Sequence, residues 1–188
     1  MATNTFDDFV KQRADRARQS SKALNSEERL ADWLRELDDL YSDMEAYLES
    51  YTKSGQIKVE RRRVELSEDY LGTYNAEALA ISIGNDEVIA QPVGTLLFGC
   101  RGRVDLRGPR RDLRIVLLEK GGPVGKITIS GTGGPTETSS RSLVRGEVDH
   151  RGWYFVTRPP DVTVTAFGKD SFRDAIMNVS TEFPFLRS

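Results

Sequence analysis

Cysteine occurs once in this chain, at Cys100, and histidine once, at His150. A single thiol excludes an internal disulfide and any zinc site built on several cysteines. A single imidazole leaves little for metal ligation or for a His-centred triad, so neither a metal nor another cofactor is expected. No run of about 18 apolar residues exists, so no membrane-crossing helix is expected. The first residues, MATNTFDDFV, show no basic stretch leading into an apolar one. A secretory leader is therefore not expected, and a cytoplasmic location is. Proline is missing before Pro92 and glycine before Gly55. Neither sign of charge dominates, the net being −2. These absences remove most familiar enzyme classes.

What is present fits an ordinary globular chain. It has 188 residues, 38% hydrophobic and 30% charged, which allows one domain with an extension. The two ends of the chain differ in composition. Residues 1–54 hold 8 Lys+Arg against 12 Asp+Glu, and the remainder holds 19 against 17. All 16 glycines and all 7 prolines fall after Ser54. Both residue types punctuate turns and interrupt helices, so the shift marks a boundary between a helical segment, 1–54, and a turn-rich one, 55–188.

The helical segment reads as a hairpin. A first helix starts after Asn4 or Thr5, with Asp7 and Asp8 at its positive end and an apolar stripe of Phe6, Phe9, Val10, Ala14 and Ala17. It fades near Ser20 and Ser21. Asn25 with Glu28 three residues on then resembles a capping box. In the second helix Leu30, Leu34, Leu37, Tyr41, Met44, Leu48 and Tyr51 are spaced 4, 3, 4, 3, 4, 3. That is the period of a coiled-coil seam. Trp33, Leu40 and Tyr47 recur beside it and widen the stripe. A helix cannot bury such a stripe on itself. The stripe must pack against the first helix, against the second half of the chain or against another molecule; in the last case these ten residues are the expected interface with a second copy of the chain or with a protein partner.

From residue 55 the periodicity is that of strands. Ile57 and Val59 alternate with charge up to Arg63; Leu79, Ile81 and Ile83 precede a Gly84-Asn85-Asp86 turn; Val88 and Ile89 follow. Leu96, Phe98, Cys100, Gly102, Val104 and Leu106 share one side of a long strand. Gly108-Pro109-Arg110-Arg111 turns it into Leu113, Ile115 and Leu117. Further strands are expected at Ile127–Ile129, Val144–Val148, Trp153–Phe155 and Val162–Val164. Gly131 to Ser140 reads as a polar loop, and Arg158-Pro159-Pro160-Asp161 as a stiff break. Asp170 or Ser171 can cap a short helix with Phe172, Ile176 and Val179 on one face. Phe183-Pro184-Phe185-Leu186 either completes the core or docks on another subunit. The expected class is α+β: a helical hairpin or coiled-coil arm, then an antiparallel β sandwich or partly closed barrel with a short C-terminal helix.

Little in the chain suggests catalysis. His150 lies in a charged turn, Asp149-His150-Arg151-Gly152, and Cys100 on an apolar strand side; neither has the setting of a base or an activated nucleophile. Gly131-Thr132-Gly133-Gly134 is not a dinucleotide fingerprint, and Gly125-Lys126 lacks the rest of a phosphate loop. The most distinctive polar feature is basic. Residues 99–126 hold 8 Lys+Arg and 3 Asp+Glu. Arg101, Arg103 and Arg107 share one strand face, and Arg110, Arg111 and Arg114 follow through the turn. Guanidinium forks suit phosphate and carboxylate. Asp105 and Asp112 among them, the lack of interleaved aromatics and an isoelectric point near 5.6 weigh against nucleic acid. The sequence thus predicts a non-enzymatic assembly or adaptor protein, with nucleic-acid binding through the six arginines as the alternative.

Overall fold

The computed structural model of the chain describes residues 6–95, 99–129 and 137–181, with 6–10, 12, 14–24, 125–129 and 137–141 as backbone. The tail Phe183–Leu186 lies outside the described residues, as do Leu96 and Phe98.

The expected hairpin is instead one continuous helix, α1, Phe6–Lys53, of 48 residues. The Ser20–Asn25 stretch contains neither Gly nor Pro. Serine and asparagine cost an interior helix position only about 0.5 kcal/mol each, too little to end it. The real stop is Gly55. Its φ of 76° suits glycine. The Gln56 N–H donates to the Tyr51 carbonyl at 2.9 Å and the Gly55 N–H to that of Thr52 at 3.1 Å, the paired bonds of a Schellman cap.

Nine strands and a second helix follow: β1 Ile57–Glu68, β2 Gly72–Ile83, β3 Asp86–Gly94, β4 Gly102–Arg107, β5 Asp112–Leu118, β6 Val124–Ile129, β7 Glu137–Ser142, β8 Gly152–Val156, β9 Val164–Ala166 and α2 Lys169–Val179. Seven strands form one antiparallel sheet in the order β1-β2-β3-β4-β5-β8-β9, and β6 and β7 form a separate ribbon. The sheet is open, with β1 and β9 at its edges, and does not close into a barrel. The layer packed on its main apolar face is helical rather than a second sheet, because α1 and α2 fill the space that closure would need. β7 lies partly within the stretch expected to be loop. Val144 to Val148, expected as a strand, forms only a bridge from Arg145 to Thr163.

One hydrophobic core joins the helices to the sheet. Trp33, Leu37, Leu40, Tyr41, Met44 and Leu48 of α1 pack with Leu79, Ile81, Val88, Val104, Leu106 and Ile115 of the sheet and with Phe172, Ile176 and Val179 of α2. The Tyr41 hydroxyl lies 3.0 Å from the Glu77 carbonyl and 3.2 Å from that of Ala90. It donates its proton within the core and so satisfies a polar group that burial would otherwise penalise. Burial also pushes its pKa up. The opposite side of β5 and β8 carries a smaller cluster of Val116, Leu118, Val148 and Tyr154. Alternation along β4 and β5 thus sends every second residue to each layer.

Candidate functional site

The β4–β5 turn, Gly108 to Arg111, is held against the end of α2. The Arg110 N–H donates to the Val179 carbonyl at 3.0 Å, and the Gly108 N–H to the Arg111 carbonyl at 3.2 Å. A Cβ on Gly108 would stand 2.4 Å from the Val179 oxygen, so only glycine permits this approach. Pairing of β5 with β8 then sets Arg114 opposite Val156. The result is a cleft of about 680 Å3 lined by Arg110, Arg111, Arg114 and Arg158, with Asp112 and Thr157 among its walls.

Three arginines of this cleft, Arg111, Arg114 and Arg158, differ from several others in the chain. Arg61 meets Asp38, Glu45 and Glu77; Arg62 meets Glu60 and Glu87. Arg101 pairs with Glu119, Arg145 with Asp161, and Arg151 with Glu36 and Glu119. Arg103 grips Asp105 with a fork, Nε to Oδ1 at 2.6 Å and Nη2 to Oδ2 at 2.8 Å. Asp105 sits opposite Arg114 in the β4–β5 register. Both of its oxygens are engaged by Arg103, and Arg114 makes no ion pair among the described residues. Its Nε is buried without a hydrogen-bond partner among the described residues. Among those residues Arg111 and Arg158 have no carboxylate partner either. No known protein family, curated protein or solved structure matches the chain.

Of the six arginines singled out in the sequence, three, Arg110, Arg111 and Arg114, come together here. Arg101 lies instead in a small recess with Trp33, Glu36 and Arg151. Arg103 is committed to Asp105, and Arg107 is exposed at the end of β4 but does not line the cleft. Arg158 was not among the six. Its neighbourhood follows from the β5–β8 pairing, which skips two strands in the chain and leaves no local signal.

The ten helix residues expected at an interface fall mostly under the sheet. Trp33, Leu37, Leu40, Tyr41, Met44 and Leu48 are at most 3% exposed within the single chain. Leu30, Leu34 and Tyr47 pack partly against the same core, and Tyr51, at 39%, lies beneath the Arg173 guanidinium. The His150 Nδ1 lies 2.5 Å from Asp149 Oδ1, with both side chains 64% exposed. The hydrogen bond to His150 is the main reason the Asp149 carboxyl titrates below its ordinary value. The Tyr154 hydroxyl reaches the His150 carbonyl at 3.1 Å, which anchors the turn. Burial pushes the Cys100 thiol up, away from the thiolate a nucleophile needs. Among the described residues no group of His, Cys, Asp and Glu could hold a metal ion, and no helix is long and apolar enough to cross a membrane.

Proposed function

We propose that the protein is a binding protein without catalytic chemistry of its own, and that its ligand is a multiply charged anion seated in the arginine cleft. The observation that carries this reading is the contrast in pairing. Arg61, Arg62, Arg101, Arg145 and Arg151 each face a carboxylate, whereas Arg111, Arg114 and Arg158 share one cleft and make no ion pair among the described residues. Arg111, Arg114 and Arg158 outnumber Asp112 in the cleft; like charges in excess raise the local potential, and an anion relieves it. Planar guanidinium forks favour phosphate oxygens, singly or along a nucleic-acid backbone.

The test is calorimetric titration with inorganic tripolyphosphate at about 50 mM salt, where counterion competition is low. Arg111→Glu and Arg158→Glu are each expected to weaken binding about ten- to a hundredfold, the range for a hydrogen bond to a charged group. Absence of binding, or unchanged affinity in the double variant, would refute the reading.

A second reading, assembly through α1, is favoured by the length of that helix. Every buried side chain described in α1 lies at or after Trp33, and Arg29 sits 5.0 Å over the Tyr70 ring at the tip of the β1–β2 hairpin. Residues 6–28 continue the helix past that tip for about 35 Å at the usual rise. In proteins most helical stability comes from packing of an apolar face rather than from intrinsic propensity. The proposed occupant is a second copy. Light scattering should then give a dimer for the full chain and a monomer for residues 25–188. A monomeric full chain removes this reading and leaves the first untouched.

A further inference from the structure

Two features of opposite charge lie on opposite outer surfaces of the molecule, each without a partner. The first is the arginine cleft. Ile115 and Phe155 turn to the helical core, so their strand neighbours Arg114 and Val156, opposite each other in register, project from the other side of the sheet. No residue of α1 lines the cleft, and Arg111, Arg114 and Arg158 exceed its one aspartate, Asp112. The second feature is on α1. Asp32 pairs with Arg35, Glu36 with Arg151, Asp38 and Glu45 with Arg61, and Glu49 with Lys53. Asp39 and Asp43 are exposed and make no ion pair among the described residues. They stand one turn apart on the helix, their Cβ atoms about 6 Å from each other, where like charges repel. Within one chain the sheet separates this ridge from the cleft.

We infer that the cleft of one molecule receives the Asp39–Asp43 ridge of a second copy, so that molecules associate head to tail, the sheet of one against α1 of the next. The inference rests on the anion-binding reading above and names the source of the anion. Sites for free small ligands bury most of the ligand. This cleft is open instead: Pro109, Arg111, Asp112, Thr157 and Arg158 are exposed, and none of its lining residues is buried. Such a cleft suits carboxylates carried on a folded surface. The ridge supplies one. Ser42 and Ala46 beside the two aspartates are small, so nothing bulky holds the carboxylates away from an incoming guanidinium. Each carboxylate can accept the fork of one arginine. Asp170 and Asp174 of α2 are exposed as well, but Asp170 lies in the first turn, where the helix dipole already offsets its charge. Because ridge and cleft differ, the contact is not self-complementary. Copies add in one direction and form a ring or an open stack.

Exposed ion pairs are individually weak. The experiment is therefore sedimentation of the full chain from about 10 μM to about 1 mM, the range in which weak contacts populate. The association constant is expected to fall about tenfold or more between about 50 mM and about 0.5 M salt, because salt screens exposed charges. Mass that persists at high salt belongs to another contact. Asp39→Lys with Asp43→Lys, and Arg111→Glu with Arg158→Glu, should each sediment at low salt as the high-salt form. An equimolar mixture of the two double variants should restore the association, since a lysine ridge then meets a glutamate cleft. A folding defect cannot produce that restoration. Excess tripolyphosphate should dissociate the parent assembly, which keeps the test decisive if the cleft variant fails to fold. Mass independent of salt overturns the inference, as does association that survives in both variants. Loss in Asp170→Lys with Asp174→Lys, but not in the α1 variant, overturns it in favour of α2. In each case the anion-binding reading stands if tripolyphosphate still binds. No salt-dependent association and no tripolyphosphate binding overturn both.

Discussion

A single carboxylate decides which arginines of the β4–β5 hairpin stay charged toward solvent. Asp105 is 7% exposed, and its partner Arg103 lies two residues away on the same strand and face. The sequence identifies Asp105 as a counter-charge within the basic run. It does not reveal that the neutralised partner is Arg103 along the strand and not Arg114 across it. That choice depends on side-chain direction once the strands are paired. Asp105→Asn should expose the consequence. Removing one member of a largely buried pair leaves the other without compensation and costs several kcal/mol when both are fully enclosed. Arg103 retains 23% exposure, so a smaller loss, about 1–3 kcal/mol, is expected in urea unfolding. Since Arg103 lies on the Asp105 side of the hairpin, its release adds positive charge near the cleft. Affinity for tripolyphosphate should therefore rise even as the fold weakens. A fall in both quantities would show that Asp105 supports the cleft's shape instead.

How far each element shows in the sequence depends on its periodicity. The 4-3 spacing of α1 is plain in the sequence because one helix face must be apolar whatever covers it. The covering surface is not encoded locally, and it turns out to be the chain's own sheet from Trp33 to Leu48. The β1–β2 hairpin was legible only in part. Ile57 and Val59 pack on the core, but farther along Val64 and Leu66 do so, while pairing with β2 continues residue for residue. This slip of one residue breaks the simple alternation near Arg63, where the sequence pattern ends. Arg61 lies at the slip and is tied to Asp38 and Glu45 of α1, so the hairpin and the helix are joined by charge as well as by apolar contact. The core position of α1 gives a clear expectation. Met44 is fully buried, and Met44→Ala should cost about 2–5 kcal/mol in denaturant unfolding. Glutamate at both Leu37 and Met44 should abolish the β signal in circular dichroism together with the helical one. Retention of a folded sheet in that double variant would mean that α1 is dispensable for it.

At the scale of the whole molecule the composition boundary near residue 54 and the physical boundary of the core do not coincide. Glycine and proline divide the chain there because helices exclude them, which is a statement about backbone conformation. Cohesion follows buried apolar area instead, and the main core takes residues from α1, the sheet and α2 together. Its strongest tie at the far end is polar: Arg173 of α2 donates to the Tyr47 carbonyl at 2.7 Å, while its guanidinium covers Tyr51. A chain consisting of residues 55–188 would retain every strand and yet expose the surface around Leu79, Ile81, Val88 and Val104 that α1 covers. Contiguous apolar patches beyond a few hundred Å2 favour association or loss of fixed packing. That fragment is therefore expected to bind a hydrophobic dye and to melt without a cooperative transition. Addition of a peptide spanning residues 25–54 should suppress the dye signal and restore the transition, because it supplies the missing layer of the core. A fragment that melts cooperatively on its own, with no response to the peptide, would show that the sheet and α2 form an independent folding unit and that α1 merely rests on it.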